Sequence, residues 1–145
     1  MLTQEDAILT YRMSNMVAAI CSNASYLSKH KSCSRVGGHM FMTRKDKIPF
    51  NNGTIFNILQ IIQAVMSSAA EAELGALFIN AKTAILMCQM RTELGHPQPR
   101  MPMQTNNATA HVLLTSKILP KAIKAMDMHF HWLRCRNAQG QFCYY

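Results

Sequence analysis

The chain alternates between short apolar runs, polar turns and longer stretches in which apolar residues recur at helical spacing. Small and apolar residues fill 16–27 and 35–43, which predicts two buried strands. The isoleucine-rich stretch 54–65 fits a strand or a helix by periodicity alone. Its β-branched residues and the Asn-Gly turn before it favour a strand. Residues 44–53 predict the hairpin loop that leads into this third strand.

The clearest helix follows these strands. Ser68 is a favourable N-cap residue, and Glu71 three positions later completes a capping box. Gly95 and Pro97 mark the end of the helix. The apolar residues between these signals recur at helical spacing: Leu74, Leu77, Phe78, Ala81, Ile85 and Cys88.

The last third of the chain predicts a short strand over 100–105, helices over 108–116 and 122–138, and a final strand over 141–145. The order βββ-α-β-α-α-β predicts an α/β fold, a mixed five-stranded sheet with helices on its faces. Gly37-Gly38 in the second strand predicts a bulge or the close approach of another element. Because no linker or repeat divides the chain, we expect a single domain.

Charge adds information about partners. The 15 basic and 7 acidic side chains give a formal net charge of +8. This surplus favours nucleic acid or acidic protein surfaces, although a solvated basic face gives the same composition. No apolar run reaches the roughly 18 residues of a membrane span, and the acidic start Glu5-Asp6 is unlike a signal peptide. We expect a soluble intracellular protein without a membrane partner, whose compartment (cytoplasm, nucleus or organelle) stays open.

The metal-binding residue types show no recognisable pattern. Five cysteines, an odd number with no close pair, argue against a disulfide framework and predict free thiols. The six histidines lack the spacing of a zinc site.

Three segments nevertheless carry a family resemblance: Cys21-Ser22-Asn23-Ala24-Ser25, Met66 to Leu74 with its Ser-Ser-Ala-Ala-Glu-Ala-Glu core, and Gln104-Thr105-Asn106-Asn107. Together they resemble the ribonuclease H domain of copia-type retrotransposon polyproteins, and the resemblance extends from about Tyr11 to the last residue. It implies that residues 11–145 form the ribonuclease H-like domain and that residues 1–10 are an N-terminal extension. Further matching stretches occur in the same order: Ser34 to His39, Glu93 to Pro99 and Lys124 to Met128. The resemblance implies the ribonuclease H fold.

The resemblance also implies a chemistry, in which four carboxylates hold two Mg²⁺ ions that cleave the RNA of an RNA–DNA hybrid. Glu73 stands at the second carboxylate position, whereas Asn23 and Asn106 stand where the family has aspartates. The fourth carboxylate belongs to a helix after the final strand, and the sequence ends at Tyr145. Asp127 matches a different motif, on the preceding helix. We therefore interpret the sequence as a degenerate copy without the C-terminal helix.

An amide is neutral and offers one acceptor oxygen, so the two asparagines remove two negative charges from the implied metal site. We expect two-metal occupancy to fail, no Mg²⁺ cofactor in this copy and Glu73 as its one retained ligand, binding metal weakly or not at all. The enzymatic assignment is therefore uncertain, and an inactive domain is favoured. A weakly active nuclease with one ion on Glu73 is an alternative.

Three interaction roles follow from the same resemblance and from the charge. The residues expected to contact RNA or an RNA–DNA hybrid are Ser67, Ser68, Lys31, Arg35 and Lys124. The two serines have helix capping as an equally good explanation. A second alternative is a structural subunit recruited into a larger protein or ribonucleoprotein assembly. An exposed apolar patch is expected near Phe142, Tyr144 and Tyr145, where a protein partner would cover the edge left by the missing helix.

Overall fold

The computed structural model describes residues 8–28, 30–45, 49–116 and 127–145. Of Asp127 it describes the backbone only. Its strands are β1 (Val17–Ser25), β2 (Ser34–Thr43), β3 (Thr54–Ile62), β4 (Met101–Thr105) and β5 (Phe142–Tyr144). Its α-helices are α1 (Ala69–Glu93), α2 (Ala108–Thr115) and α3 (Asp127–Ala138), and a 3-10 turn spans His30–Ser32. The predicted order of elements is confirmed. The predicted helical residues 122–126 lie outside the described range.

The five strands form one mixed sheet in the order β3-β2-β1-β4-β5. The three strands from β3 to β1 pair antiparallel, and β4 pairs parallel to both β1 and β5. The predicted α/β fold with a mixed five-stranded sheet is thus confirmed. Its centre is the parallel pair β1 and β4, in which Ser22 lies beside Thr105.

Helix α1 starts at the predicted cap. Ser68 Oγ accepts a hydrogen bond from the Glu71 backbone N–H at 3.2 Å. The Glu71 carboxylate does not return to Ser68, as a capping box requires, but accepts from the Ser67 N–H at 2.8 Å and from Ser67 Oγ at 2.6 Å. The predicted capping box is therefore wrong in one of its two hydrogen bonds, because the Glu71 carboxylate accepts from the N–H of Ser67 and not from that of Ser68. At the other end, Gly95 adopts a left-handed φ of 87°, which ends the helix.

The three described helices pack on one face of the sheet. Alternate residues of each strand point to this face, as the register of the paired strands requires. The buried core between helices and sheet contains Ile20, Met40, Leu74, Leu77, Met101, Met103, Ala110, Phe130, Leu133, Phe142 and Tyr144. In the described part of the chain, helices therefore cover one face and not both. No described helix is long and apolar enough to cross a membrane.

The opposite face, here called the open face, carries the other alternate residues and is covered at one end by a loop. Thr43 Oγ1 donates to the Phe50 carbonyl at 3.2 Å, and a His39 ring nitrogen lies 3.4 Å from the Asn52 carbonyl. This cover explains why Phe41 is fully buried on the open face. Further along the same face, towards Asn23, the sheet is exposed.

The predicted apolar patch near the end of the chain is wrong. Phe142 and Tyr144 are 1% and 6% exposed because their side chains lie on the helix-covered face. The Tyr144 hydroxyl donates to the Leu133 carbonyl of α3 at 3.4 Å. Tyr145, on the other face, is half-buried. The exposed apolar side chains of the sheet lie instead on β3, where Leu59 is 73% exposed.

Candidate functional site

The two asparagines singled out in the sequence meet in the structure. Asn106 Nδ2 donates a hydrogen bond to Asn23 Oδ1 at 3.2 Å. Ser22 and Thr105 are register partners in the parallel pair of β1 and β4, so the residues that follow them emerge side by side. The carboxyl ends of parallel strands are where open α/β sheets place ligands.

Glu73, near the start of α1, contacts the residue that follows Asn23 in β1. Its Oε1 accepts a hydrogen bond from the Ala24 backbone N–H at 2.9 Å, which ties α1 to the end of β1. The side chain is only 5% exposed, and Oε2 is buried without a hydrogen-bond partner among the described residues. The three positions that the resemblance implies for metal ligands are therefore neighbours.

Burial controls the protonation of this carboxyl. Removal from water disfavours the charged form and raises the pKa of Glu73, while the Ala24 N–H favours the charged form and offsets part of the effect. The net direction is upward. Glu73 thus carries its negative charge at a free-energy cost that a nearby cation would relieve.

The two serines at the start of α1 are occupied by structure. Ser68 Oγ caps the helix and Ser67 Oγ donates to Glu71. The Tyr26 hydroxyl donates to the Ser67 carbonyl at 3.1 Å, so this turn is held against the residues that follow β1. Ser67 is exposed and Ser68 is half-buried. These contacts within the turn account for both hydroxyls, and the predicted contact of the two serines with nucleic acid is untested.

The predicted basic contacts have different positions. Arg35 is half-buried on the open face, where its register partner in β1 is Ser25. It lines a shallow depression of about 180 Å³ together with Asn23, Gly37 and Leu59. Lys31 is exposed in the 3-10 turn before β2, with a left-handed φ of 61°.

Lys124, the third predicted basic contact, lies outside the described residues. Arg35 is therefore the predicted basic contact that the structure places in one depression with an asparagine of the pair.

Known proteins with this architecture were found by structure and not by sequence. The sequence matches no protein-family model and no curated protein. The structure is similar to LC11 ribonuclease H1, isolated from compost by a metagenomic approach, with a TM-score of 0.62 and 11% identity over 90% of this chain and 83% of that one. The chain has a ribonuclease H-like fold.

Two further structures support this assignment. LC11 ribonuclease H1 in complex with an RNA/DNA hybrid gives a TM-score of 0.58 and 10% identity, over 88% of this chain and 84% of that one. Ribonuclease H1 from the halophilic archaeon Halobacterium salinarum NRC-1 gives a TM-score of 0.51 and 14% identity, over 88% and 80%. At such identities the likeness establishes the fold.

On this ribonuclease H-like fold, the described donors do not fit a pair of divalent cations. They comprise one carboxylate, which already accepts from a backbone N–H, and two neutral amides joined by a hydrogen bond. Two Mg²⁺ ions bring four positive charges and require several anionic oxygens. Within the described ranges, no group of three or more His, Cys, Asp or Glu side chains could hold a metal ion.

Asn80 is a site-positioning residue that the sequence reasoning missed. It is fully buried on α1, and its Nδ2 donates to Ser22 Oγ at 2.8 Å and to the Gly37 carbonyl at 3.1 Å. Its amide packs directly on Gly38, where a Cβ would collide with it. The predicted close approach at Gly37-Gly38 is confirmed. Asn80 follows Glu73 on α1 by about two helical turns. The hydrogen bonds of Asn80 to β1 and β2 therefore fix the position of Glu73 relative to the end of β1.

Proposed function

We propose that this chain is a ribonuclease H-like domain, derived from a retrotransposon polyprotein, that binds nucleic acid without cleaving it. The observation that carries the proposal is the hydrogen bond from Asn106 Nδ2 to Asn23 Oδ1. It joins the two positions at which the resemblance to copia-type domains places aspartates.

The physical argument concerns charge. Two carboxylates as close as these amide groups repel by about 1 to 5 kcal/mol, depending on how much water screens them. A bridging cation removes that repulsion in a metal-dependent nuclease. Two amides attract each other instead, since one donates and the other accepts. The pair is therefore stable without metal, and it gives Mg²⁺ no charge to bind.

The proposed retrotransposon ancestry is supported by how the three resembling segments assemble. They lie far apart in sequence, at the end of β1, the start of α1 and the end of β4. Hydrogen bonds connect all three, through Asn23 with Asn106 and through Ala24 with Glu73. A chance resemblance of short segments carries no requirement that they form one site.

The proposed ligand is RNA or an RNA–DNA hybrid. The net charge of +8 favours a polyanion. Arg35 lines the depression beside Asn23 and supplies a positive charge there. LC11 ribonuclease H1 has been crystallised with an RNA/DNA hybrid, and we extend that ligand class to this chain.

The catalytic half of the proposal is tested with an RNA–DNA hybrid in Mg²⁺ and in Mn²⁺. We expect no cleavage above the level of a Glu73→Ala variant prepared in parallel. Robust cutting that requires metal and disappears in Glu73→Ala would overturn the proposal, because contaminating nuclease would not depend on Glu73.

The binding half is tested by titrating labelled RNA, DNA and hybrid over a range of salt concentrations. Arg35→Ala should weaken binding and lower the slope of log K against log salt by about one phosphate contact. Arg100→Ala is the control for the loss of one positive charge, since Arg100 is exposed and lies at the end of β4 opposite to Asn106. Absence of binding at low salt would exclude a nucleic-acid ligand and leave the structural-subunit role.

A further inference from the structure

Strand β3 forms an edge of the sheet and has an unpaired side. It pairs with β2 on one side, and no described strand pairs with it on the other. In an edge strand, the N–H and C=O groups of alternate residues point outward, where another β-strand can bind them. With nine residues, β3 is far longer than the three-residue strand β5 at the other edge.

The strand lacks the features that usually protect such an edge. Charged side chains and prolines are the common means of preventing edge-to-edge pairing. No Asp, Glu, Lys, Arg or His occurs between Lys47 and Glu71, although the chain carries 15 basic and 7 acidic residues elsewhere. Proline is absent from β3 itself. An irregularity in the pairing with β2 occurs between Met40 and Phe41, so the strand is regular from Phe56 to Ile62.

Exposed apolar side chains accompany the free backbone on both faces. Leu59 and Ile61 are 73% and 44% exposed and share the open face. Phe56 is 43% exposed on the opposite face. The edge thus offers a row of backbone hydrogen bonds together with apolar surface above and below it, which is the combination used in β-strand addition.

We propose that β3 is a self-association edge, at which a second copy of this chain adds its own β3 in antiparallel orientation. The regular stretch Phe56–Ile62 is centred on Leu59, so pairing about that residue uses all of its outward backbone groups. Leu59 then lies opposite Leu59 of the second copy, and Phe56 lies opposite Ile62. This two-fold contact is closed, because each copy contributes the same edge.

The charge distribution favours a second copy as the occupant. Two copies with a net charge of +8 repel overall, but an uncharged strand lets them meet where that repulsion is weakest. Arg35, which lines the depression beside Leu59, belongs to β2 and lies on the open face, not on the outer edge of β3. Along β3 itself there is no cation for nucleic acid and no salt-bridge partner for an acidic peptide. Pairing with an identical uncharged strand leaves no charge buried without a partner.

The test is sedimentation velocity of the full chain over about 1 to 100 µM. We expect a concentration-dependent dimer that strengthens as salt rises, since salt screens the repulsion between the two copies. Leu59→Lys should weaken dimerisation by roughly 100-fold or more, because the lost apolar contact and the opposed cations occur in both copies. Leu86→Lys, the same change at an exposed position on α1, should leave the dimer unchanged.

A charge-swap experiment tests the location directly. Leu59→Glu and Leu59→Lys copies should each be monomeric alone and should form a dimer when mixed, while circular dichroism shows both folded. A monomer at all concentrations, or equal effects of Leu59→Lys and Leu86→Lys, would overturn the proposal. Open-ended assemblies would also contradict it, because the two-fold contact closes. None of these outcomes depends on nucleic-acid binding or cleavage.

Discussion

Asn106 donates to Asn23 at the point where β1 and β4 end side by side, 83 residues apart in sequence. An amide can rotate so that either end faces its neighbour. The pair therefore tolerates a carboxylate at one position, since the remaining amide can still donate to it, but not at both. Replacing one asparagine by aspartate should therefore affect stability much less than replacing both.

We predict that Asn23→Asp and Asn106→Asp, made singly, change the free energy of unfolding by less than about 0.5 kcal/mol at neutral pH. The double variant should be destabilised by about 1 to 3 kcal/mol in EDTA, because two adjacent carboxylates repel. Added Mg²⁺ or a pH below 4 should restore most of that loss, by bridging or by protonation. Urea unfolding of all four proteins measures the coupling, and strict additivity of the single effects would contradict it.

The buried Glu73 carboxyl gives a pH dependence with a defined sign. Its pKa is raised in the folded protein above the ordinary 4.5, so the folded state holds its proton to higher pH than the unfolded state. Glu73 therefore lowers stability as pH rises through and above 4.5. Glu73→Gln, which keeps an acceptor for the Ala24 N–H, should be more stable than the parent at pH 7 and equal to it near pH 3. Urea midpoints from pH 3 to 8 test this, and a Gln variant that is less stable at pH 7 would show that the ionised carboxylate is favoured.

The contact between Asn80 and Gly38 predicts an asymmetric response of two adjacent glycines. Gly38→Ala should destabilise the protein by about 1 to 3 kcal/mol, because the new Cβ collides with the buried Asn80 amide. Gly37→Ala is the matched control. A Cβ at Gly37 meets only the Asn23 carbonyl at an ordinary 3.7 Å, so we expect little change. Thermal unfolding of the two variants is sufficient, and equal effects would contradict the packing described for α1.

Ser68 should affect stability and not binding. Ser68→Ala removes the acceptor for the Glu71 N–H and should cost about 1 kcal/mol. Its affinity for RNA–DNA hybrid, measured well below the unfolding temperature, should match that of the parent. A loss of affinity with unchanged stability would instead assign the Ser68 hydroxyl to the ligand.

The sequence predicts most of this architecture because its local signals agree with one another. The Asn51-Asn52-Gly53 turn settled the ambiguous isoleucine-rich stretch in favour of a strand, and the structure confirms β3. The proximity of Asn23 and Asn106 is implied only by the family resemblance, since no local signal in the sequence relates two residues so far apart. Gly37-Gly38 indicated a close approach without identifying Asn80 as the approaching residue.

The features that the sequence analysis predicts wrongly or misses depend on tertiary packing. From the sequence we predict exposure of Phe142 and Tyr144 because their cover is assigned to a helix that the sequence lacks, whereas their alternation places them under α3. The Glu71 carboxylate turned to Ser67 instead of Ser68, a choice between two adjacent N–H groups that the spacing of residues does not determine. The exposed apolar strip on β3 was missed because its exposure depends on its position at the edge of the sheet.

The order in which the sheet is assembled exposes one strand for longer than the others. The β1-β2-β3 meander contains only antiparallel neighbours close in sequence, whereas Ile20 of β1 reaches its partner Met103 of β4 across the whole of α1. Contacts between residues close in the chain form faster than contacts across long loops. Newly made chains therefore present the uncharged β3 edge before the centre of the sheet has closed. Refolding yield should accordingly fall with protein concentration, and Leu59→Lys should improve it.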